Sequence, residues 1–138
     1  MQSKAEALHR LGELLARGEP RLDPREVEQV LREREQLQST GVGGGVAIPH
    51  GAVERLDRLR GAVLLCPKPI PFDAIDGAPV SILFAVVGPK RATGEHLKSL
   101  ARISRLLRDD GFRERLLRAT TGPGAFETIS AEESRTSA

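Results

Sequence analysis

The residues best suited to chemistry in this chain are a histidine behind a glycine-rich run, an arginine on an apolar helix stripe and a second histidine at a helix start. His50 closes the run Ser39-Thr40-Gly41-Val42-Gly43-Gly44-Gly45-Val46-Ala47-Ile48-Pro49-His50. Imidazole, with an ordinary pKa of ~6.5, is a nucleophile in its neutral form at pH 7. Pro49 locks its own φ and restricts Ile48, so the approach to His50 is stiff, and Gly51 lets the chain leave without crowding the ring. The alternative is a loop histidine beside a turn-forming proline, and local features leave both open. Successive N–H groups of the glycine run, Gly41 and Gly43 among them, are able to cradle an anion. The run is no Walker A loop, because no Gly-Lys-Ser/Thr follows, and no dinucleotide fingerprint, because the third glycine is missing and a strand follows. A tight crossover loop remains the other reading.

Arg34 lies three residues after Leu31 and seven after Val27, on an apolar helix face. A forked, permanently charged guanidinium there suits a phosphate or carboxylate, or else pairs with Glu33 or Glu35. His96 falls in the first turn of a later helix, where the positive end favours the neutral ring, ready for a hydrogen bond or without a role. Other chemistries find little support. The three histidines lack zinc-site spacing, and no Gly-x-Ser-x-Gly is present. His9 reads as a solvated surface residue, Cys66 as inert strand core, and Asp73 and Asp76 as backbone caps in a turn-rich stretch.

The elements that must hold these residues follow from periodicity. A helix is expected over 3–18, with Ala5, Leu8, Leu11 and Leu15 in register. A second runs from Asp23 (N-cap) and Pro24 to about Leu37, with Val27, Val30, Leu31 and Leu37 on one face. Residues 39–45 read as loop, 46–48 and 61–66 as strands, and 67–79, with four prolines and Asp76-Gly77, as turns. Val80–Val87, apolar at nearly every position, reads as a central strand buried on both faces. Helices are expected over about 94–109, with Leu97, Leu100, Ile103 and Leu107 as its stripe, and over 112–119, with a frayed tail at 131–138. The pattern is α/β: one domain over 1–138, a mixed central sheet flanked by helices on both faces.

With no Trp or Tyr and four Phe, the core must be aliphatic. Interleaved charges, 21 basic against 19 acidic, leave a net charge of +2 and argue against nucleic acid as a partner. A lone cysteine, no signal-peptide pattern and no apolar run of ~20 residues point to a cytoplasmic protein that does not enter the membrane.

Together these segments resemble the enzyme IIA domains of the bacterial phosphoenolpyruvate-dependent phosphotransferase system, in the fructose/mannitol class and nearest its nitrogen-regulatory branch. Three ordered blocks carry the resemblance: Arg34-Glu35 through Gly51, Pro69 through Val80, and His96-Leu97-Lys98-Ser99-Leu100-Ala101. It covers about residues 3–120. It implies that His50 is the phosphorylated histidine, that His96 supports the phosphoryl group and that Arg34 stabilises its charge. Thr40, Gly41, Gly43 and Pro49 would complete the binding site. No metal or cofactor is expected. The implied partners are a histidine phosphocarrier protein and either regulatory targets or an enzyme IIB domain of a sugar permease; a non-catalytic binding module is the remaining alternative. An apolar patch is expected around His50 for docking. Two departures stand out. Family members usually carry a strand before the first helix, and this sequence starts almost at the helix: either the strand lies outside this sequence, or the sheet is short of an edge strand, and an unpaired edge invites a partner. Gly44 stands where the regulatory branch often has Asn.

Overall fold

A computed structural model describes residues 3–17, 19–54, 56, 59–89 and 93–118, without the side chains of 93–97 and 99. The first element is α1 (Lys4–Ala16), capped by Ser3, whose hydroxyl accepts from the Glu6 N–H at 3.2 Å. It stops where Arg17 turns extended, and Arg60 donates to the freed carbonyls of Leu15 and Arg17 at 3.0 and 2.9 Å. Helix α2 (Pro24–Leu37) starts as expected: Asp23 accepts from the Arg25 N–H at 2.9 Å and Pro24 fills the first position. Its buried stripe is Val27, Leu31 and Glu35. Leu37 does not belong to it and is 83% exposed, because ten residues from Val27 are not a whole number of turns at ~3.6 residues each.

The glycine run is not the expected loop. Strand β1 (Gly41–Gly43) pairs antiparallel with β2 (Val46–Ala47), Gly43 opposite Val46. The two residues between, Gly44 and Gly45, have φ of 66° and 80°, the positive values a two-residue hairpin turn demands. Strands β2 and β3 (His50–Ala52) both lie parallel to β5 (Val80–Gly88) in one continuous register, Val46 beside Ile82 and His50 beside Val86. Pro49, lacking an N–H, breaks the run between them, so His50 opens a strand and does not end one. Strand β4 (Arg60–Ile70) flanks β5 antiparallel. It extends past the expected end at Cys66, through Pro67 and Pro69, at the cost of a register irregularity between Leu65 and Ile70. Among the described residues β4 pairs only with β5, and an edge strand tolerates prolines whose missing N–H groups face away from the ladder. Helices α3 (Thr93–Leu107) and α4 (Asp110–Leu117) complete the order, α4 starting two residues early under its Asp109 cap.

Strand β5 has helices on both faces, as its apolar run requires. Val80, Leu83, Ala85 and Val87 join the aliphatic cluster under α1 and α2. Ile82 and Val86 join Ile103, Leu106, Leu107, Phe112 and Leu116 under α3 and α4. Of the expected α3 stripe, Ile103 and Leu107 are buried and Leu100 is half-buried; the Leu97 side chain and the tail at 131–138 lie outside the described residues. Cys66 is buried, which pushes its thiol pKa up.

Two features bring α2 to the sheet. A Cβ on Gly51 would overlap Val30 Cγ1, so the bare glycine sets the approach of α2 to β3. Its expected role was to spare the imidazole; the space serves α2 instead. Below α2, Glu35 is 7% exposed and accepts from the Thr40 hydroxyl at 2.5 Å and the Thr40 N–H at 3.0 Å. Lys4 reaches the same carboxylate at 2.9 Å, contacts Asp73 at 3.2 Å and sits 4.8 Å over the Phe72 ring. Burial alone would raise the Glu35 pKa, but bonds from the Thr40 hydroxyl and Lys4 outweigh it and hold it below the usual range.

Gly51→Ala should destabilise the fold by about 1–3 kcal/mol through overpacking, with much of the loss restored in Gly51→Ala/Val30→Ala; denaturant titration of the three variants checks this. Glu35, with its folded pKa depressed, contributes stability that is present above the unfolded value of ~4.3 and lost as pH falls through the folded one. Glu35→Gln should therefore cost about 1–3 kcal/mol at pH 7, and the gap in Tm to the parent should close as acid protonates Glu35. A gap constant from pH 7 to pH 3 would contradict this account.

Candidate functional site

The break at Pro49 orients His50. With the parallel ladder interrupted, the Ile48 carbonyl lies 2.9 Å from His50 Nδ1. On the other side of the ring, Arg34 Nε stands 3.2 Å from Nε2. A guanidinium N–H only donates, so Nε2 is the acceptor and carries the lone pair. A carbonyl only accepts, so Nδ1 carries the proton. The tautomer is thus assigned by its neighbours, and the nucleophilic nitrogen is Nε2. Arg34 anchors itself by donating from Nη1 to the Gln38 carbonyl at 2.9 Å. The suggested pairing of Arg34 with Glu33 or Glu35 does not occur: Glu35 serves Thr40 and Lys4, and Glu33 accepts from Gln29 at 3.0 Å.

His50 and Arg34 border a pocket of about 360 Å³ between the end of α2, β1 and α3. Thr40, Val42, Ile75 and Leu100 also line it. Val42 and Ile75 are 47% and 72% exposed, which gives the expected apolar surface beside the histidine. His96 lies on α3 one turn before Leu100; its side chain is outside the described residues.

The glycine segment departs from its expected part. Thr40 lines the pocket, but its hydroxyl donates to Glu35, so it is no donor for a ligand. The Gly41 N–H donates to Ser39 Oγ at 3.1 Å, and Gly41 is glycine because a Cβ would stand 2.7 Å from the Ala74 Cβ. Gly43 lies in the ladder beneath Asp76, and the Gly44 N–H donates to Asp76 at 3.1 Å. The anion cradled by the turn is therefore the protein's own carboxylate. Bonds from the N–H groups of Ala78, first, and Gly44 hold the Asp76 pKa low. Pro49 acts through the backbone: its carbonyl accepts from the Val86 N–H at 3.0 Å. Asp76 caps Ala78 as expected but also ties the hairpin down, and Asp73 pairs with Lys4. His9 is exposed and close to Glu28, at 2.7 Å. Glu35 was the residue missed. Its signal was an acid four residues after Leu31 on the buried stripe.

No group of three or more His, Cys, Asp or Glu placed to hold a metal ion is found among the described residues, and no described helix is long and apolar enough to cross a membrane.

Comparison with known proteins bears on the family. Residues 1–132 match the family described as "Phosphoenolpyruvate-dependent sugar phosphotransferase system, EIIA 2". The chain is 40% identical to the nitrogen regulatory protein of Bradyrhizobium diazoefficiens, over 95% of this chain and 84% of that one. It is 39% identical to the protein of the same name from Pseudomonas aeruginosa, over 92% and 82%. The crystal structure of nitrogen regulatory protein IIA-Ntr from Neisseria meningitidis superposes with a TM-score of 0.83 at 35% identity, covering 96% of this chain and 86% of that one. A family match over residues 1–132, relatives at 39–40% identity and a shared fold lead to one assignment: the chain belongs to the EIIA 2 family of the phosphoenolpyruvate-dependent sugar phosphotransferase system.

Proposed function

We propose that this protein carries a phosphoryl group on His50 Nε2, received from a histidine phosphocarrier protein, and signals by its phosphorylation state. One observation carries the reading: Nε2 borders an open pocket with its lone pair selected by the Ile48 carbonyl on Nδ1, and a guanidinium stands 3.2 Å away. In the transfer, Nε2 forms a bond to phosphorus as the donor's N–P bond breaks. The electron pair returns to the donor imidazole. Three anionic oxygens then enter the pocket, and Arg34 turns its fork from the ring nitrogen to them. Most of the catalysis is positioning and charge stabilisation. His96, at the start of the α3 wall, is assigned to support the phosphoryl group. Thr40, Gly41 and Gly43 shape the pocket through the backbone and Glu35; the oxygens are left to Arg34 and His96.

The regulatory output is preferred to sugar transport. The relatives at 39–40% identity over most of their length are named nitrogen regulatory proteins. The fructose-specific EIIA component of Haloferax volcanii is 36% identical over 72% of this chain. In the transport reading the group would pass on to an enzyme IIB domain.

Incubation with phosphoenolpyruvate, enzyme I and a phosphocarrier should add one acid-labile phosphoryl group, read by intact mass, and His50→Ala should remain unlabelled. A labelled His50→Ala variant would rule the assignment out. Arg34→Ala should slow transfer on the order of 100-fold with its Tm little changed, and His96→Ala should slow it less than loss of His50; rapid-quench kinetics on both variants measures this, and wild-type rates would remove either residue from the site.

A further inference from the structure

The pocket wall formed by α3 adjoins a charged strip that phosphoryl transfer itself does not use. Lys98, Arg102 and Arg105 recur at i, i+4 and i+7, so they share one side of the helix. All three are exposed, as is Arg108 beyond them, and no carboxylate interrupts residues 98–108. Leu100, Ala101 and Ser104, on the adjoining side of the same helix, line the His50 pocket.

Elsewhere the helices set cations against carboxylates. Arg32 meets Glu28 at 2.6 Å, Lys4 meets Glu35 at 2.9 Å and Arg10 meets Glu13 at 3.8 Å. Lys98, Arg102 and Arg105 have no such partner among the described residues. Like charges four apart cost helix stability, so the strip is not explained by the helix's own needs. Its neighbours on the pocket rim, Val42 and Ile75, are exposed and apolar. An apolar centre with a charged rim is the composition of a protein–protein interface. Among the described residues base stacking has little to work with: Phe72 and Phe112 are buried and Phe84 is half-buried.

We infer that the protein donating the phosphoryl group to His50 docks with an acidic face against Lys98, Arg102 and Arg105 of α3, its apolar centre over Val42 and Ile75. The inference rests on phosphoryl transfer at His50. Complementary charge would speed encounter and select the partner, and exposed pairs of this kind are screened by salt.

The test compares the parent with the Lys98→Glu/Arg102→Glu/Arg105→Glu variant. The donors are the phosphorylated histidine phosphocarrier of the same organism and, separately, phosphoramidate. Phosphoramidate needs no docking face: its P–N bond breaks, the Nε2–P bond forms and ammonia leaves. With the carrier, the parent's second-order rate constant should fall as salt rises from 50 to 300 mM, about tenfold. The variant should be slower than the parent by about tenfold or more at 50 mM and should lose the salt dependence, while phosphoramidate labels both proteins alike. Equal carrier rates for the two proteins at 50 mM would overturn the docking inference. So would unimpaired transfer in a variant that had lost binding to a duplex oligonucleotide, which would assign the strip to nucleic acid. Failure of phosphoramidate to label the parent would overturn the His50 reading, and this inference with it.

Discussion

The contact between Val30 and the bare backbone of Gly51 sets the distance on which the site depends. Helix α2 and strand β3 come from separate stretches of chain, and each supplies one half of the Arg34–His50 hydrogen bond. A side chain at residue 51 would collide with Val30, whose β-branch is stiff in a helix. Without that side chain, α2 settles close enough for Arg34 Nε to reach His50 Nε2. The guanidinium and the imidazole are neighbours because a packing position one residue beyond the histidine is empty.

A second constraint acts from below. Glu35 follows Arg34 directly, yet it points into the protein, where it holds both donors of Thr40 and the Lys4 ammonium. Lys4 in turn reaches Asp73, so α1, α2 and the entry to β1 meet at the Glu35 carboxylate, and Lys4 ties in the segment after β4. Buried charge is tolerated only when it is paired and hydrogen-bonded, and here that requirement fixes where the pocket walls stand. Arg34 and Glu35 thus divide the work at adjacent helix positions, one at the His50 imidazole and one in the frame.

The tautomer of His50 follows from the proline before it. Pro49 interrupts the parallel run between Ala47 and His50, and the Ile48 carbonyl takes the imidazole Nδ1–H. A continuous strand would set the side chain by the pleat alone. The break adds a hydrogen bond that selects which nitrogen is nucleophilic.

Much of this was legible in the sequence, and the remainder divides along physical lines. The cap of α2, the apolar run of β5 and the stiff approach to His50 rest on interactions between residues close in the chain, so residue type and spacing determined them. Arg34 was legible as a cation on an apolar stripe, but residue type and spacing alone left its partner open, because Glu33 and Glu35 were nearer in sequence than His50; only the family resemblance linked it to His50. The glycine run offered N–H groups to an anion; only the folded chain decided that the anion is Asp76, brought alongside by the turn after β4. The same holds for the Thr40 hydroxyl, committed to Glu35, and for the passage of β4 through two prolines at a sheet edge. Each of these outcomes depends on which distant groups arrive first at a polar atom that burial forbids to stay unpaired. Local order was written in the sequence, while the choice among long-range partners belonged to the tertiary structure, because only packing brings them within reach.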